Sequence, residues 1–171
     1  MRIYLIGYMA SGKSYLGKLL AEKLGYLFLD IDHLFEKRFR ISVLDFFMKY
    51  DEDSFRKIER SLLHETLDHD DVVISTGGGT PCFFDNMRFI NKGGISIYLH
   101  CEIPTLVNRL LHVKRKRPLL KDITAAELEE KVKLQLEERA FYYNQANYTI
   151  DMENLDINII LEWIRNRSGI S

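Results

Sequence analysis

Short runs rich in β-branched and aliphatic residues recur along the chain at Arg2 to Ile6, Leu27 to Asp30, Val72 to Ser75, Ser96 to His100 and Tyr148 to Ile150. Between them the apolar positions change period. Leu16, Leu19, Leu20 and Leu24 repeat at helical spacing after the first run. Phe55, Ile58, Leu62, Leu63 and Leu67 do so before the third, and Ile157, Ile160, Leu161 and Ile164 after the last. A period near 3.6 marks a helix that buries one face, and short apolar runs between turn signals mark buried strands. Gly25 supplies a helix stop, and Thr124-Ala125-Ala126-Glu127 reads as a capping box that opens a long helix toward Tyr143. Alternation of strand and helix predicts an α/β fold around a parallel sheet. Ligands of such sheets collect beyond the carboxyl ends of the strands, so the residues just after each run are where chemistry is expected.

After the first run comes Gly7-Tyr8-Met9-Ala10-Ser11-Gly12-Lys13-Ser14, with a helical stretch from Tyr15 to Leu24 behind it. The pattern G-x-x-x-x-G-K-[ST] lets several backbone N–H groups turn inward on one anion. Its lysine reaches outer phosphates, and its serine offers a hydroxyl to magnesium. A helix starting at the loop aims its positive dipole end at the same anion. Nucleoside triphosphate chemistry is the expectation.

The second run ends in Asp30-Ile31-Asp32. If the strand continues through them, both carboxylates point the same way, one placed for magnesium and the other for an acceptor hydroxyl and its proton. The alternative is a pair of solvated acids capping the next helix. The third run leads into Gly77-Gly78-Gly79, where backbone is exposed to a ligand without intervening side chains, or simply turns. Ser75 sits where many phosphate-loop proteins carry an acid. Arg56, Arg117 and Arg139 are candidate forks for carboxylate or phosphate. Lys114 to Arg117 reads as a mobile basic lid over triphosphate in preference to a nucleic-acid patch, because the stretch is short and lacks interleaved aromatics.

With 171 residues, 46% hydrophobic and a formal net charge of -1, the chain suits one domain with a substantial core. That balance gives no support to nucleic-acid binding. No apolar run approaches the ~20 residues that span a bilayer, and Met1-Arg2 leads straight into the first strand, so a cytoplasmic protein without membrane contact is expected. Cys82 and Cys101 read as reduced, packed thiols. His33, His64, His69, His100 and His112 follow no ligand spacing, and Tyr142 and Tyr143 read as packing.

Taken together, the loop Gly7 to Ser14, Asp30-Ile31-Asp32, Phe55-Arg56-Lys57-Ile58-Glu59, Gly77-Gly78-Gly79, Arg117-Pro118-Leu119-Leu120 and Glu138-Arg139 with Tyr143 and Ala146 resemble, in order, the shikimate kinase family of nucleoside monophosphate kinase-like phosphate-loop enzymes. The resemblance implies a three-layer α/β/α kinase domain over 1–171 with a five-stranded parallel sheet ordered 2-3-1-4-5. It also implies a substrate-binding helical segment at about 31–60 and a short lid at about 112–123. The implied reaction moves the γ-phosphate of ATP to the 3-hydroxyl of shikimate, on the route to chorismate and the aromatic amino acids, with ATP and Mg2+ required and the chain acting as a monomer.

The resemblance also implies roles. Ala10, Ser11, Gly12, Lys13, Ser14 and Tyr15 hold ATP, with Arg109 against adenine and Arg117 swinging from the lid to the phosphates. Lys13, Asp32 and Arg117 are the catalytic set, in which Asp32 binds ring hydroxyls and assists deprotonation. Arg56 and Arg139 grip the carboxylate beside Gly77, Gly78 and Gly79, with Gly78 offering its N–H. Ser14 binds the metal directly and Asp30 supports it through water. The chain departs from the family pattern at Tyr15, where a small hydroxyl residue is common, and at Ala10, where glycine is frequent. Asp151 to Leu155 lacks the arginine and proline often found near adenine. A gluconate or nucleoside monophosphate kinase is the neighbouring alternative, and a nucleotide-dependent switch without a small acceptor is the alternative from another class.

Overall fold

A computed structural model describes residues 1–114 and 123–168. Arg117 and most of the expected lid lie outside the described residues. The strands are β1 (Arg2–Ile6), β2 (Leu27–Asp30), β3 (Val72–Ser75), β4 (Ile95–His100) and β5 (Tyr148–Asp151). They form one sheet in the order β2-β3-β1-β4-β5, and every neighbouring pair is parallel. The helices are α1 (Lys13–Leu24), α2 (Ile31–Phe39), α3 (Val43–Lys49), α4 (Glu52–Glu65), α5 (Asn86–Gly93), α6 (Ile103–Lys114), α7 (Ala125–Tyr143) and α8 (Ile157–Ser168).

Alternate residues of β1 serve opposite faces, as the pleat requires. Tyr4 and Ile6 pack with Phe35 of α2, Phe46 of α3, Leu62 and Leu63 of α4 and Ile90 of α5. Ile3 and Leu5 pack instead with Leu16 and Leu20 of α1 and with Ile160, Leu161 and Ile164 of α8. Three layers result. A third cluster, in which Leu106, Val107 and Leu110 of α6 meet Leu128 and Val132 of α7, closes around Tyr8 at the carboxyl end of β1.

Local chemistry sets the boundaries. The capping box at Thr124 and Glu127 is formed in both directions and starts α7 where the sequence places it. The strand does not continue through Asp32. Asp30 ends β2 and its carboxylate accepts from the His33 N–H, so α2 begins at Ile31 and the two acids project from different elements. Leu67 falls outside the expected helical stripe. The Thr66 hydroxyl bonds the Leu63 carbonyl as α4 closes, and Leu67 is left 40% exposed in the following turn.

Close backbone approach fixes the β1–β4 edge. A Cβ on Gly94 would stand 2.3 Å from the Arg2 carbonyl oxygen, which cannot move without disturbing the sheet. Gly94→Ala is therefore expected to cost about 2 kcal/mol in urea unfolding, the usual penalty of overpacking. An unchanged unfolding midpoint would contradict this account of the edge.

Candidate active site

The phosphate loop spans the gap from β1 to α1 in backbone conformations that side chains resist. Gly7 has φ 143° and Gly12 φ 103°, while Ala10 takes φ 64°, the left-handed region where glycine is at ease. Lys13 is buried, and its ammonium donates to the carbonyls of Gly7 and Tyr8, each at 2.8 Å. Burial pulls its pKa down to about 8, against the opposing attraction of Asp32 and Asp30. From α6, Arg109 donates one guanidinium nitrogen to the Ala10 and Ser11 carbonyls at 3.1 and 3.2 Å. The loop carbonyls are thus gathered by two cations, while the N-terminus of α1 opens on the loop. Ser11 Oγ is buried without a hydrogen-bond partner among the described residues, and Tyr15 lies exposed on the first turn of α1.

Ser14 donates to Asp30 Oδ2 at 2.6 Å, and its oxygen lies 3.5 Å from Ser75 Oγ. Two hydroxyls and a carboxylate gathered beside a phosphate loop are hard oxygen donors of the kind magnesium takes. No cluster of three or more His, Cys, Asp or Glu side chains suited to a metal occurs among the described residues. This donor set fits magnesium, which Ser14 and Asp30 would hold here to offset phosphate charge.

Asp32, partly buried on the first turn of α2, faces the same space. Burial pushes its pKa up to about 6, reinforced by Asp30 and Glu59 and opposed by Lys13. The glycine loop packs directly on it: a Cβ at Gly77 would lie 3.0 Å from Asp32 Oδ1 and 2.6 Å from Glu59 Oε1. A Cβ at Gly78 would lie 3.2 Å from the Met9 amide nitrogen and 3.5 Å from an Arg139 nitrogen. At Gly79 it would meet the Arg56 guanidinium at 2.6 Å. Asp32, Glu59, the Met9 amide and both arginines thus crowd the backbone of this loop.

The two arginines differ in how they are held. Arg56 is buried on α4, packed 4.1 Å from the centroid of the Phe83 ring. It donates to Glu59 at 2.8 Å and to the exposed Glu52 at 2.9 and 3.1 Å. Glu59 is 1% exposed and also accepts from the Thr80 hydroxyl at 2.5 Å. Arg139 on α7 lies over the Tyr8 ring at 5.2 Å, and its Nη1 is buried with no hydrogen-bond partner among the described residues. A buried guanidinium donor left open in this way is a costly arrangement unless an anion completes it.

Lys13, Ser14, Asp30, Asp32, Arg56, Gly77 to Gly79 and Arg139 are thus linked by contacts at the carboxyl end of the sheet, with Arg109 on the carbonyls of the phosphate loop; Arg117 lies outside the described residues. Glu59 was not anticipated as part of the site. Its signal was a charge at a position of α4 that the helical period turns inward, three residues after Arg56. Tyr143 was read as packing, yet its hydroxyl donates to the Gly78 carbonyl at 2.6 Å. Beyond β5, Met152 stands where the family pattern has other residues. Its methyl is 3.3 Å from the Cβ position of Gly12, and its N–H donates to the His100 carbonyl at 2.9 Å. Burial pushes the thiols of Cys82 and Cys101 up to about 11, which keeps both protonated.

Comparison with known proteins places this geometry. The family model described as shikimate kinase matches residues 9–166. The shikimate kinase of Parabacteroides distasonis is 43% identical over 154 residues, which cover 90% of this chain and 89% of that protein. The crystal structure of shikimate kinase from Bacteroides thetaiotaomicron superposes with a TM-score of 0.90 at 38% identity, covering 99% of both chains. The solved structure of shikimate kinase from Acinetobacter baumannii in complex with shikimate gives 0.84 at 31% identity, covering 98% of this chain and 93% of the other.

The raised pKa of Asp32 carries a stability consequence. Its folded value of about 6 lies above the ordinary carboxylate value, so the native state binds this proton more tightly than the unfolded state does. The ionised carboxylate thus destabilises the ligand-free fold above about pH 6, and the penalty is relieved as pH falls through that value. Asp32→Asn is expected to raise Tm at pH 7.5 and to lose this advantage near pH 4. Equal Tm differences at both pH values in thermal melts would contradict it.

Proposed function

The chain belongs to the shikimate kinase family, and we propose that the pocket assembled around Lys13, Asp32 and Arg139 performs the family's reaction with the following division of labour. The reaction transfers the γ-phosphate of ATP to the 3-hydroxyl of shikimate, giving shikimate 3-phosphate and ADP, a step toward chorismate and the aromatic amino acids. The observation that carries the assignment of the acceptor side is the open, buried Nη1 of Arg139 beside the glycine loop that also touches Asp32. An acid bearing hydroxyls satisfies both ends of that space, its carboxylate on arginine and a hydroxyl on the carboxylate of Asp32.

On the donor side, Ala10 to Tyr15 wrap the phosphates with backbone N–H groups at the start of α1. Lys13 exchanges the carbonyls of Gly7 and Tyr8 for phosphate oxygens and offsets the charge that spreads over the transferring group. The Arg109 guanidinium and the turn carrying Met152 flank the adenine. Magnesium would be held by Ser14 directly and by Asp30 through water, and it would supply neutralisation of phosphate charge. Arg117, carried by the lid at about 112–123, adds a further cation, and the whole chain, with its substrate segment at about 31–60, works as one monomeric domain. No helix among the described residues is long and apolar enough to cross a membrane. The two free cysteines support the cytoplasm as its compartment.

On the acceptor side, Arg139 and Arg56 bind the shikimate carboxylate. Arg56 already holds one exposed carboxylate, that of Glu52, and one buried carboxylate, that of Glu59. The exposed partner gives way at little cost, since surface pairs contribute about 0–1 kcal/mol. Asp32 binds the reacting hydroxyl and takes its proton. Its raised pKa makes it a stronger base than a free carboxylate while leaving it mostly ionised at neutral pH.

ADP release in the presence of ATP and magnesium should depend on shikimate and not on gluconate or AMP. Release with gluconate or AMP but none with shikimate would overturn the reading. Arg139→Ala should raise KM for shikimate by about thirtyfold or more, the scale of losing a buried charged contact. An unchanged KM would remove Arg139 from the acceptor site. Because Asp32 acts ionised, kcat/KM should fall as pH drops through about 6, and Asp32→Asn should abolish turnover while ATP still binds. A flat profile between pH 5 and 8 would contradict the assigned base.

A further inference from the structure

Gln135, Arg139 and Tyr143 follow one another at four-residue steps on α7 and so share one helix face. That face meets both halves of the pocket. Gln135 accepts from the Tyr8 hydroxyl at 2.5 Å, at the root of the phosphate loop, and Arg139 lies over the Tyr8 ring. Tyr143, 1% exposed and packed 5.0 Å from the Tyr98 ring, donates to the Gly78 carbonyl at 2.6 Å. Burial pushes the Tyr143 phenol far above its ordinary pKa, so the hydroxyl remains a donor at any working pH.

The Gly78 carbonyl and the Gly79 N–H belong to one planar trans peptide and point in opposite directions. Holding the carbonyl against α7 therefore fixes where the following amide points. No hydrogen bond among the described residues takes up the N–H of Gly77, Gly78 or Gly79. These donors stand between Arg139, 3.5 Å from the Cβ position of Gly78, and Arg56, 2.6 Å from that of Gly79. Glycine has no side chain to hold the loop in this orientation, and its backbone is the most permissive of all residues. The Gly77 and Gly79 carbonyls are held within the turn, by the N–H groups of Thr80 and Cys82 at 3.2 and 2.9 Å, whereas the Gly78 carbonyl is held from outside by Tyr143.

We propose that Tyr143 is a positioning residue for the acceptor: its hydroxyl pins the Gly78 carbonyl to α7, so that the glycine-loop amides and Arg139 present their donors to the acceptor carboxylate as one pre-set unit. The inference rests on the reading that the carboxylate of shikimate lies at Arg139. Its effect is on acceptor binding, because Tyr143 touches neither the nucleotide loop nor the reacting hydroxyl.

Tyr143→Phe keeps the ring on Tyr98 and deletes the hydroxyl, and with it the bond to the Gly78 carbonyl and the contact with the Arg139 side chain. Steady-state kinetics should show KM for shikimate raised about tenfold, the scale of one lost hydrogen bond, with kcat and KM for ATP within about twofold. The shikimate-induced rise in Tm should shrink in parallel. Tyr4→Phe, which loses a buried hydroxyl bond to Thr66 away from the site, should leave KM for shikimate within about twofold of wild type. A Tyr143→Phe enzyme with unchanged KM for shikimate, or with both KM values raised equally, overturns the proposal. If instead the unaltered chain turns over a different acid and not shikimate, the reading of the reaction fails, and the same comparison on that acid's KM decides the role of Tyr143.

Discussion

The pairing of β1 with β3 is the constraint from which the site follows. Leu5 lies opposite Ser75, and Thr76 seals the end of the pair by donating both its N–H and its hydroxyl to the Leu5 carbonyl, at 3.1 and 3.0 Å. The two strands stop at one level, so the phosphate loop leaving β1 and the glycine loop leaving β3 emerge side by side. β2 ends at the same level, Asp30 opposite Ser75, which delivers the acids to the same place. Were β1 not central in the β2-β3-β1-β4-β5 order, donor and acceptor residues would face different crevices.

That convergence concentrates charge in a poorly solvated space, and the compensation is uneven in an informative way. Glu59 is paired with Arg56 and hydrogen-bonded by Thr80, and Lys13 is satisfied by backbone carbonyls with Asp32 and Asp30 nearby. Burying ions in this manner rarely stabilises a fold, so such clusters persist where chemistry uses them. Two groups remain uncompensated: the Asp32 carboxylate, whose proton affinity is raised, and the Arg139 guanidinium, which lacks a partner at Nη1. One seeks a proton or hydroxyl and the other an anion. A hydroxylated acid brought against a triphosphate answers both, and the glycines of the intervening loop let the charged side chains close on its backbone.

Much of this was legible along the chain. The strands, the phosphate loop and the capping box at Thr124 depend on residues adjacent in sequence, and they occur within a residue or so of where the pattern places them. Asp30 was harder, because its carboxylate serves two elements at once. It caps α2 through the His33 amide and at the same time accepts from Ser14, a partner supplied by α1. The contacts of Tyr143 and Gln135 were not legible, since an aromatic at a helical period looks like core until its hydroxyl is seen on the Gly78 carbonyl. Leu67 shows the converse, an apolar residue in phase with a helix that has already ended at Glu65.

The account comes down to one shared pocket in which Lys13 and the loop meet the phosphates while Arg139, Arg56 and the glycine loop hold a carboxylate whose ring reaches Asp32. A crystal structure of the protein with shikimate, ADP and magnesium tests this most directly. The account predicts the shikimate carboxylate within hydrogen-bond distance of both arginines and a ring hydroxyl on the Asp32 carboxylate facing the nucleotide's terminal phosphate. Shikimate bound with its carboxylate away from Arg139, or separated from the nucleotide by a wall of protein, would contradict it.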